Sequence, residues 1–252
     1  MLSAPGLKTL SISASIAALA GAATLVACGR VGAGTGGGAQ TSTTVTSTQT
    51  TGTGSGPCVA DPLKTGLTAQ QTGMSVDLAD CPILEWSAKY GEPDAMVFKA
   101  IIYVESRFQY DATACTNLPC STPAGWTSAE SQCFGLMQVV PACGGLPANE
   151  GLLPNGHPNL TKDMTSPDYM GSIFNPEINV AVGIAGISKN RQQEMQKFPG
   201  CTDDQYTMMA IGDYNSYGST MGCTKYNTTY DNLVITAYKQ YAAAANWPAH
   251  PY

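Results

Sequence analysis

Residues 94–108 read DAMVFKAIIYVESRF, and this stretch decides the fold class. Asp94 follows a proline and is suited to cap the free amide groups at the start of a helix. The apolar residues after it recur at the spacing of one helical face: Met96, Val97, Ala100, Ile101 and Val104. We therefore predict a helix over 94–106 that buries this face, although its β-branched residues would also suit a buried strand.

Four further stretches have helical periodicity, namely residues 80–90, 177–197, 201–214 and 230–245. The last of them carries an apolar stripe made of Leu233, Val234, Ala237, Tyr238 and Tyr241. Residues 111–132 and 142–175 are instead dominated by Gly, Pro, Ser, Asn and Cys. Loops of that length in a compact domain are usually functional or held by covalent links. The pattern predicts an all-α domain with long, disulfide-stapled loops.

Nine cysteines are an odd number for a chain that enters an oxidising compartment. Cys28 stands apart because it ends an apolar run, directly after Leu25-Val26-Ala27. The other eight could form four disulfides, whose connectivity stays open. These candidates are Cys58, Cys81, Cys115, Cys120, Cys133, Cys143, Cys201 and Cys223.

The first 57 residues form two segments that precede the predicted domain over 58–252. Residues 1–27 contain one lysine and an apolar, small-residue run, which is the layout of a secretory signal peptide. The end of this run resembles the bacterial lipobox, whose cysteine is lipidated; the alternative is an ordinary cleaved signal in which Cys28 is incidental. Residues 28–57 are almost wholly Gly, Thr and Ser, which predicts a flexible linker. We expect a cell-envelope protein, anchored through Cys28 to a bacterial membrane and facing the periplasm or exterior, or else a secreted one.

Charge and composition exclude several classes of function. The chain after residue 57 holds all 18 acidic residues and ten of the 12 basic ones, a net charge of −8. This balance argues against a nucleic-acid partner, which requires a basic stripe. The sequence has no GxxxxGK phosphate loop, and two His argue against a His-built zinc site. We expect no metal, no cofactor and a monomeric protein.

Glu105 lies at the end of the predicted helix 94–106, among apolar neighbours. The negative end of a helix and an apolar environment both disfavour a carboxylate, so both raise its pKa. A raised pKa suits a general acid at neutral pH. On the local sequence alone, the alternative is a solvated surface charge or one paired with Arg107.

Four short motifs follow one another through the domain, beginning with Glu105-Ser106 at a helix end. The others are Gly135-Leu136-Met137-Gln138, Asn175-Pro176-Glu177-Ile178-Asn179, and Tyr214-Asn215 after Ala210. In this order they resemble the lytic transglycosylase SLT domain, a lysozyme-like family that is related to goose-type lysozymes. The resemblance spans roughly residues 80–245 and implies a lysozyme-like (SLT) all-α fold.

The resemblance implies a role for individual residues of the site. Glu105 matches the single catalytic acid/base of the family. Gln138 and Met137 match the lining of the glycan cleft, and Tyr214 matches a tyrosine that hydrogen-bonds the catalytic carboxyl. Met137 and Tyr214 could instead be core residues.

Two further residues are predicted to bind substrate, and two are interpreted as structural. Asn215 stands beside the matched tyrosine, at the floor of the cleft, and Ser106 belongs to the Glu-Ser pair. Asn175 and Asn179 are interpreted as residues that cap and fix a helix start.

The implied reaction cleaves the β-1,4 bond between N-acetylmuramic acid and N-acetylglucosamine in peptidoglycan glycan strands. Most glycosidases use two carboxylates, whereas here Glu105 alone would protonate the glycosidic oxygen and then deprotonate the 6-hydroxyl of the sugar. The 2-acetamido group of the substrate would assist. The products would end in 1,6-anhydromuramic acid, with no water consumed.

The sequence departs from the family pattern in three places. The interval from Glu105 to Gly135 is longer than usual and carries extra cysteines. Ala114 stands where the family often has a serine that contacts substrate, and Val140 stands where a methionine is frequent.

Two other functions stay open on the same sequence. A goose-type-like lysozyme would hydrolyse the same bond with a water held by a second carboxylate, for which Asp111, Asp163 and Asp168 are candidates. A non-catalytic glycan-binding lipoprotein would use the cleft for binding alone.

Overall fold

The computed structural model describes residues 58, 60–114, 124–140, 165–166, 172–215, 222–224 and 228–252. Most of this part of the chain is helical: α1 (Asp80–Tyr90), α2 (Met96–Ser106), α3 (Pro176–Lys197), α4 (Asp203–Asn215) and α5 (Thr228–Ala245). Two short strands, β1 (Thr113–Ala114) and β2 (Cys133–Phe134), pair antiparallel and are the only sheet in these residues. The predicted all-α fold is confirmed, and the β1–β2 pair is an addition, with β1 inside the predicted loop 111–132 and β2 directly after it.

The helix starts follow from local side-chain chemistry. Asp94 Oδ1 accepts the amide of Met96 at 3.0 Å, and Asn175 Oδ1 accepts the amide of Glu177 at 2.9 Å. Before α4, Thr202 accepts the amide of Gln205 at 3.2 Å while the Gln205 side chain accepts the amide of Thr202 at 2.7 Å. All five helix predictions are confirmed with ends that agree to within two residues, and a strand over 94–106 is excluded.

α2 lies at the centre of the domain. It packs along α5, while α3 packs against both α1 and α4. Its apolar side chains, including Met96, Phe98, Ile101 and Ile102, have no exposed surface. The stripe predicted on α5 is buried except at Leu233, which is 38% exposed because it lies at the solvent margin of the stripe.

Disulfides join segments that are distant in sequence. Cys58 bonds Cys81 with a Cα–Cα distance of 5.4 Å, and Cys201 bonds Cys223 with one of 5.3 Å. Cys133 is disulfide-bonded as well. The other predicted cysteines, Cys115, Cys120 and Cys143, lie outside the described residues, as do the predicted signal peptide, Cys28 and the linker.

No helix in the described ranges has both the length and the apolar character that a membrane span requires.

Candidate active site

Glu105 is the penultimate residue of α2, and its side chain is partly buried. The hydroxyl of Tyr230, on the first turn of α5, donates a short hydrogen bond to Glu105 Oε1. The other oxygen, Oε2, is enclosed and has no hydrogen-bond partner among the residues that the structure describes. One oxygen of the carboxyl is therefore held in place, and the second is left to exchange a proton.

Burial raises the pKa of Glu105 to about 8. The hydrogen bond from Tyr230 and the positive charge of Arg107 both act in the opposite direction and are outweighed. The Arg107 guanidinium is directed to Tyr103, whose carbonyl it contacts at 2.5 Å and whose ring it covers at 4.1 Å. Glu105 therefore carries a proton at neutral pH, and the alternative of a solvated surface charge is wrong.

Two buried tyrosines surround this carboxyl from different helices. Tyr214, on α4, donates its hydroxyl to the carbonyl of Met137 at 2.6 Å, so the predicted bond from Tyr214 to the catalytic carboxyl is wrong. Tyr230 makes that bond instead. Burial and the negative charge of Glu105 raise the pKa of both tyrosines well above 10, which keeps their hydroxyls protonated.

The importance of Tyr230 was missed although a signal for it existed. The residue lies one helical turn before Val234, on the buried stripe predicted for α5. Extending that stripe by one turn would have directed Tyr230 towards the neighbouring helix. Its partner on α2 could not be read from the sequence.

The Gly-Leu-Met-Gln motif forms a tight turn between β2 and Val139. Phe134 and Val139 exchange backbone hydrogen bonds of 2.9 and 3.0 Å across it. Gly135 has a φ of 72°, and a Cβ there would come within 2.3 Å of the Asn179 side chain. Glycine is therefore required by both the backbone conformation and the available space.

Asn179, on the second turn of α3, clamps this turn. Its Oδ1 accepts the amide of Met137 at 2.7 Å, and its Nδ2 donates to the carbonyls of Phe134 at 2.8 Å and Ile173 at 2.9 Å. The side chain is completely buried. The interpretation of Asn179 as a structural residue is confirmed, although it fixes the turn and does not cap α3, whereas Asn175 does cap α3.

Gln138 and Met137 lie inside the turn rather than on an open surface. Gln138 is 2% exposed, has a φ of 50°, and donates from Nε2 to the carbonyls of Gly135 at 2.8 Å and Ala112 at 3.2 Å. It ties the turn to the chain that follows α2, and its predicted place in the cleft lining stays a prediction. Met137 is fully buried against Gly183, so the core alternative holds for it.

The remaining predicted substrate contacts are Ser106 and Asn215. The hydroxyl of Ser106 donates to the carbonyl of Ile102 at 3.1 Å, and the residue is 8% exposed. This bond lies within α2, and the role of Ser106 in substrate binding stays a prediction. Asn215 is the partly buried last residue of α4, and its role stays a prediction.

The positions where the sequence departs from the family pattern are also placed. Ala114 pairs with Cys133 in the β1–β2 ladder and is exposed, while Val140 is buried. Asp111 is exposed, and Asp163 and Asp168 lie outside the described residues.

Among the residues that are described, no group of three or more His, Cys, Asp or Glu side chains is arranged to hold a metal ion.

Comparison with known proteins identifies a family. No curated protein matches the chain significantly. The family model described as Transglycosylase SLT domain matches residues 82–225, which is more than half of the 252 residues. The matched region contains Glu105, the Gly135–Gln138 turn, Asn179 and Tyr214, and it ends before Tyr230. The chain therefore belongs to the transglycosylase SLT domain family.

Proposed function

We propose that this protein is a lytic transglycosylase that cleaves the β-1,4 bond between N-acetylmuramic acid and N-acetylglucosamine in peptidoglycan. The observation that carries the proposal is the state of Glu105. Its buried carboxyl has a pKa raised to about 8, with Oε1 held by Tyr230. A carboxyl in this state is protonated at neutral pH and can act as a general acid.

The reaction needs one carboxyl in two successive roles. Glu105 gives its proton to the glycosidic oxygen as the bond from that oxygen to C1 of the muramic acid breaks. The 2-acetamido oxygen of the same sugar supports the positive charge at C1. The Glu105 carboxylate then removes the proton of the 6-hydroxyl, whose oxygen bonds to C1. Glu105 is protonated again, and the intramolecular 6-hydroxyl outcompetes water through its high effective concentration.

Tyr230 determines which oxygen of Glu105 carries the proton. Its hydroxyl already donates to Oε1, so the acidic proton belongs on Oε2. When the carboxyl ionises, the same bond stabilises the charge that has formed. The proton therefore leaves and returns at one fixed atom.

A lysozyme-type hydrolysis is less well supported by the geometry. It requires a second carboxylate to hold a water near the reacting carbon. In the described part of the chain, the charged side chain that acts on the Glu105 pKa is Arg107, and no carboxylate does so. Asp111, a candidate for that second carboxylate, is exposed.

The test is mass spectrometry of the soluble fragments released from purified peptidoglycan. We expect muropeptides that end in 1,6-anhydromuramic acid, and we expect none from Glu105→Gln, which keeps the shape of the side chain and its bond to Tyr230. Reducing-end fragments, heavier by one water, would make the protein a hydrolase. Binding to peptidoglycan without any fragment would make it a glycan-binding protein.

We also propose that Cys28 carries a lipid that tethers the domain to a bacterial membrane through the linker 28–57. The support is the lipobox-like end of the apolar run together with the Gly/Thr/Ser composition that follows. Cells that express the protein should incorporate a labelled fatty acid into the wild type and not into Cys28→Ala. An unlabelled wild type would favour a secreted protein.

A further inference from the structure

The chain before the family match folds onto the helix that carries Glu105. The match begins at residue 82, and the preceding segment, residues 58 and 60–80, is here named the N-terminal clasp. The disulfide Cys58–Cys81 closes it. Within it, a bridge between Thr68 and Ser75 and a bond from the amide of Ala69 to the carbonyl of Met74 at 2.8 Å form a narrow hairpin.

The clasp contacts the middle of α2 through Lys99, whose side chain is fully buried. The Lys99 ammonium lies 2.7 Å from Asp77, 2.9 Å from Asp80 and 2.7 Å from the carbonyl of Leu63. These three partners, all in the clasp, use the three donors of the ammonium. Because the loss of any partner would leave a buried charge under-paired, they fix where the clasp lies along α2.

The tip of the clasp reaches the end of α2. The hydroxyl of Thr72 donates to the carbonyl of Arg107 at 2.8 Å, two residues after Glu105. Arg107 and the next residue, Phe108, have φ angles of 55° and 63°. Two consecutive left-handed residues are unfavourable for L-amino acids and persist only where contacts hold them.

The contacts around this left-handed pair identify what holds it. Phe108 is fully buried, and the centroid of its ring lies 5.9 Å from that of Tyr241 on α5. The Arg107 amide closes the last turn of α2 on the carbonyl of Tyr103 at 3.2 Å. Thr72 holds the Arg107 carbonyl, so the turn is fixed on its other side by a residue from outside the family match.

We propose that Thr72 is a positioning residue for Glu105: its hydroxyl holds the left-handed turn after α2 and thereby fixes the place of the catalytic carboxyl. Without this bond the Arg107 carbonyl would turn towards water and the last turn of α2 would loosen. The carboxyl would then gain water and lose its alignment with Tyr230. The kinetic part of this inference rests on the proposed function, and the titration below does not.

The test compares Thr72→Val, which keeps the shape of the side chain but removes its hydroxyl, with Thr72→Ser, which keeps the hydroxyl. The matched control is Thr65→Val in the same clasp. It removes a hydroxyl that donates to Asp77 at 2.8 Å and accepts the amide of Leu67 at 3.1 Å. Asp77 keeps its bonds from the amides of Thr65 and Gly66. Each variant is prepared as the full oxidised chain, and circular dichroism verifies that it is folded.

The first readout is the titration of Glu105, followed by NMR with carboxyl-labelled glutamate and assigned with Glu105→Gln. Burial affects the Glu105 pKa more than the bond from Tyr230 does, so hydration of the carboxyl should outweigh the weakened bond. The Glu105 midpoint in Thr72→Val should therefore fall by about one pH unit, with wild-type values in Thr72→Ser and Thr65→Val. The second readout is turnover of peptidoglycan. Thr72→Val should lower kcat about tenfold with KM within about twofold of the wild type.

Three results would overturn the inference. These are a Glu105 midpoint unchanged in Thr72→Val, the same loss in Thr65→Val as in Thr72→Val, or an unfolded Thr72→Val, which would make the residue one of stability alone. If the wild type releases no fragments at all, the proposed function fails, and the titration still decides whether Thr72 positions Glu105.

Discussion

The clamp formed by Asn179 allows a sharp prediction, because the chain provides a matched asparagine four residues earlier. Asn179→Ala removes one acceptor and two donors that hold Met137, Phe134 and Ile173. Asn175→Ala removes one cap bond, to the amide of Glu177, at an exposed position. Sequence reasoning gave both residues the same capping role, so the two variants separate that interpretation from the clamp.

The expected magnitudes follow from the number of backbone groups left without a partner. A buried group that loses its partner costs about 1–3 kcal/mol. Asn179→Ala strands two such groups, the amide of Met137 and the carbonyl of Ile173, while the carbonyl of Phe134 keeps its bond from the amide of Val139. We therefore expect a loss of about 4 kcal/mol in the free energy of unfolding. Asn175→Ala strands one amide that water can reach, and the expected loss is about 1 kcal/mol. Since a domain is stable by about 5–15 kcal/mol, the first variant should remain folded with a clearly reduced stability.

The assay is equilibrium unfolding in urea with the disulfides kept oxidised, followed by far-ultraviolet circular dichroism. An unchanged slope with a lowered midpoint would assign the difference to stability. Equal losses in the two variants, or a loss below about 2 kcal/mol for Asn179→Ala, would refute the clamp. The turnover of folded Asn179→Ala should also fall, because the turn it holds carries the carbonyl that Tyr214 binds.

Three further predictions concern the surroundings of the site. Tyr230→Phe removes a hydrogen bond that lowers the pKa of Glu105, so the alkaline limb of the pH–rate profile should move above about pH 8 while kcat falls about tenfold. Gly183→Ala would place a Cβ 2.4 Å from Met137 Sδ, and we expect a lower melting temperature from a loss of about 1–3 kcal/mol in calorimetry. Burial raises the pKa of Asp231 from 3.8 to about 7. The folded state therefore holds a proton that the unfolded state releases between these values. The free energy of unfolding should fall as the pH rises from about 4 to about 7. Melting temperatures measured across that range should decline in the wild type and decline less in Asp231→Asn.

The helices could be predicted because their causes are local. The apolar spacing in 94–106 and the cap at Asp94 act within one or two turns, and the structure reproduces both. The burial of Glu105 could also be predicted, since a carboxyl that follows a continuous apolar face becomes buried when that face packs. Burial is the largest cause of its raised pKa.

The partners within the site could not be predicted, because they join residues that are far apart in the chain. Tyr214 and Tyr230 both approach Glu105, and which of them binds it depends on how α4 and α5 meet α2. The order of the motifs carries no information on that geometry. The same holds for Asn179 and for Thr72, whose bonded carbonyl lies 35 residues away.

The motif residues beside Glu105 act mainly on the backbone. The described chain has four non-glycine residues with positive φ, and three of them, Arg107, Phe108 and Gln138, lie in segments next to the carboxyl or tied to those segments. The side chain of Gln138 donates to the carbonyl of Ala112 and so fixes the turn, and the hydroxyl of Ser106 donates to a carbonyl within α2. Residues that a motif match would assign to substrate binding therefore also stabilise the backbone segments that fix the position of the Glu105 carboxyl. Because the proposed mechanism requires that carboxyl to give and take a proton at the same atom, the proposal also requires these segments to be rigid.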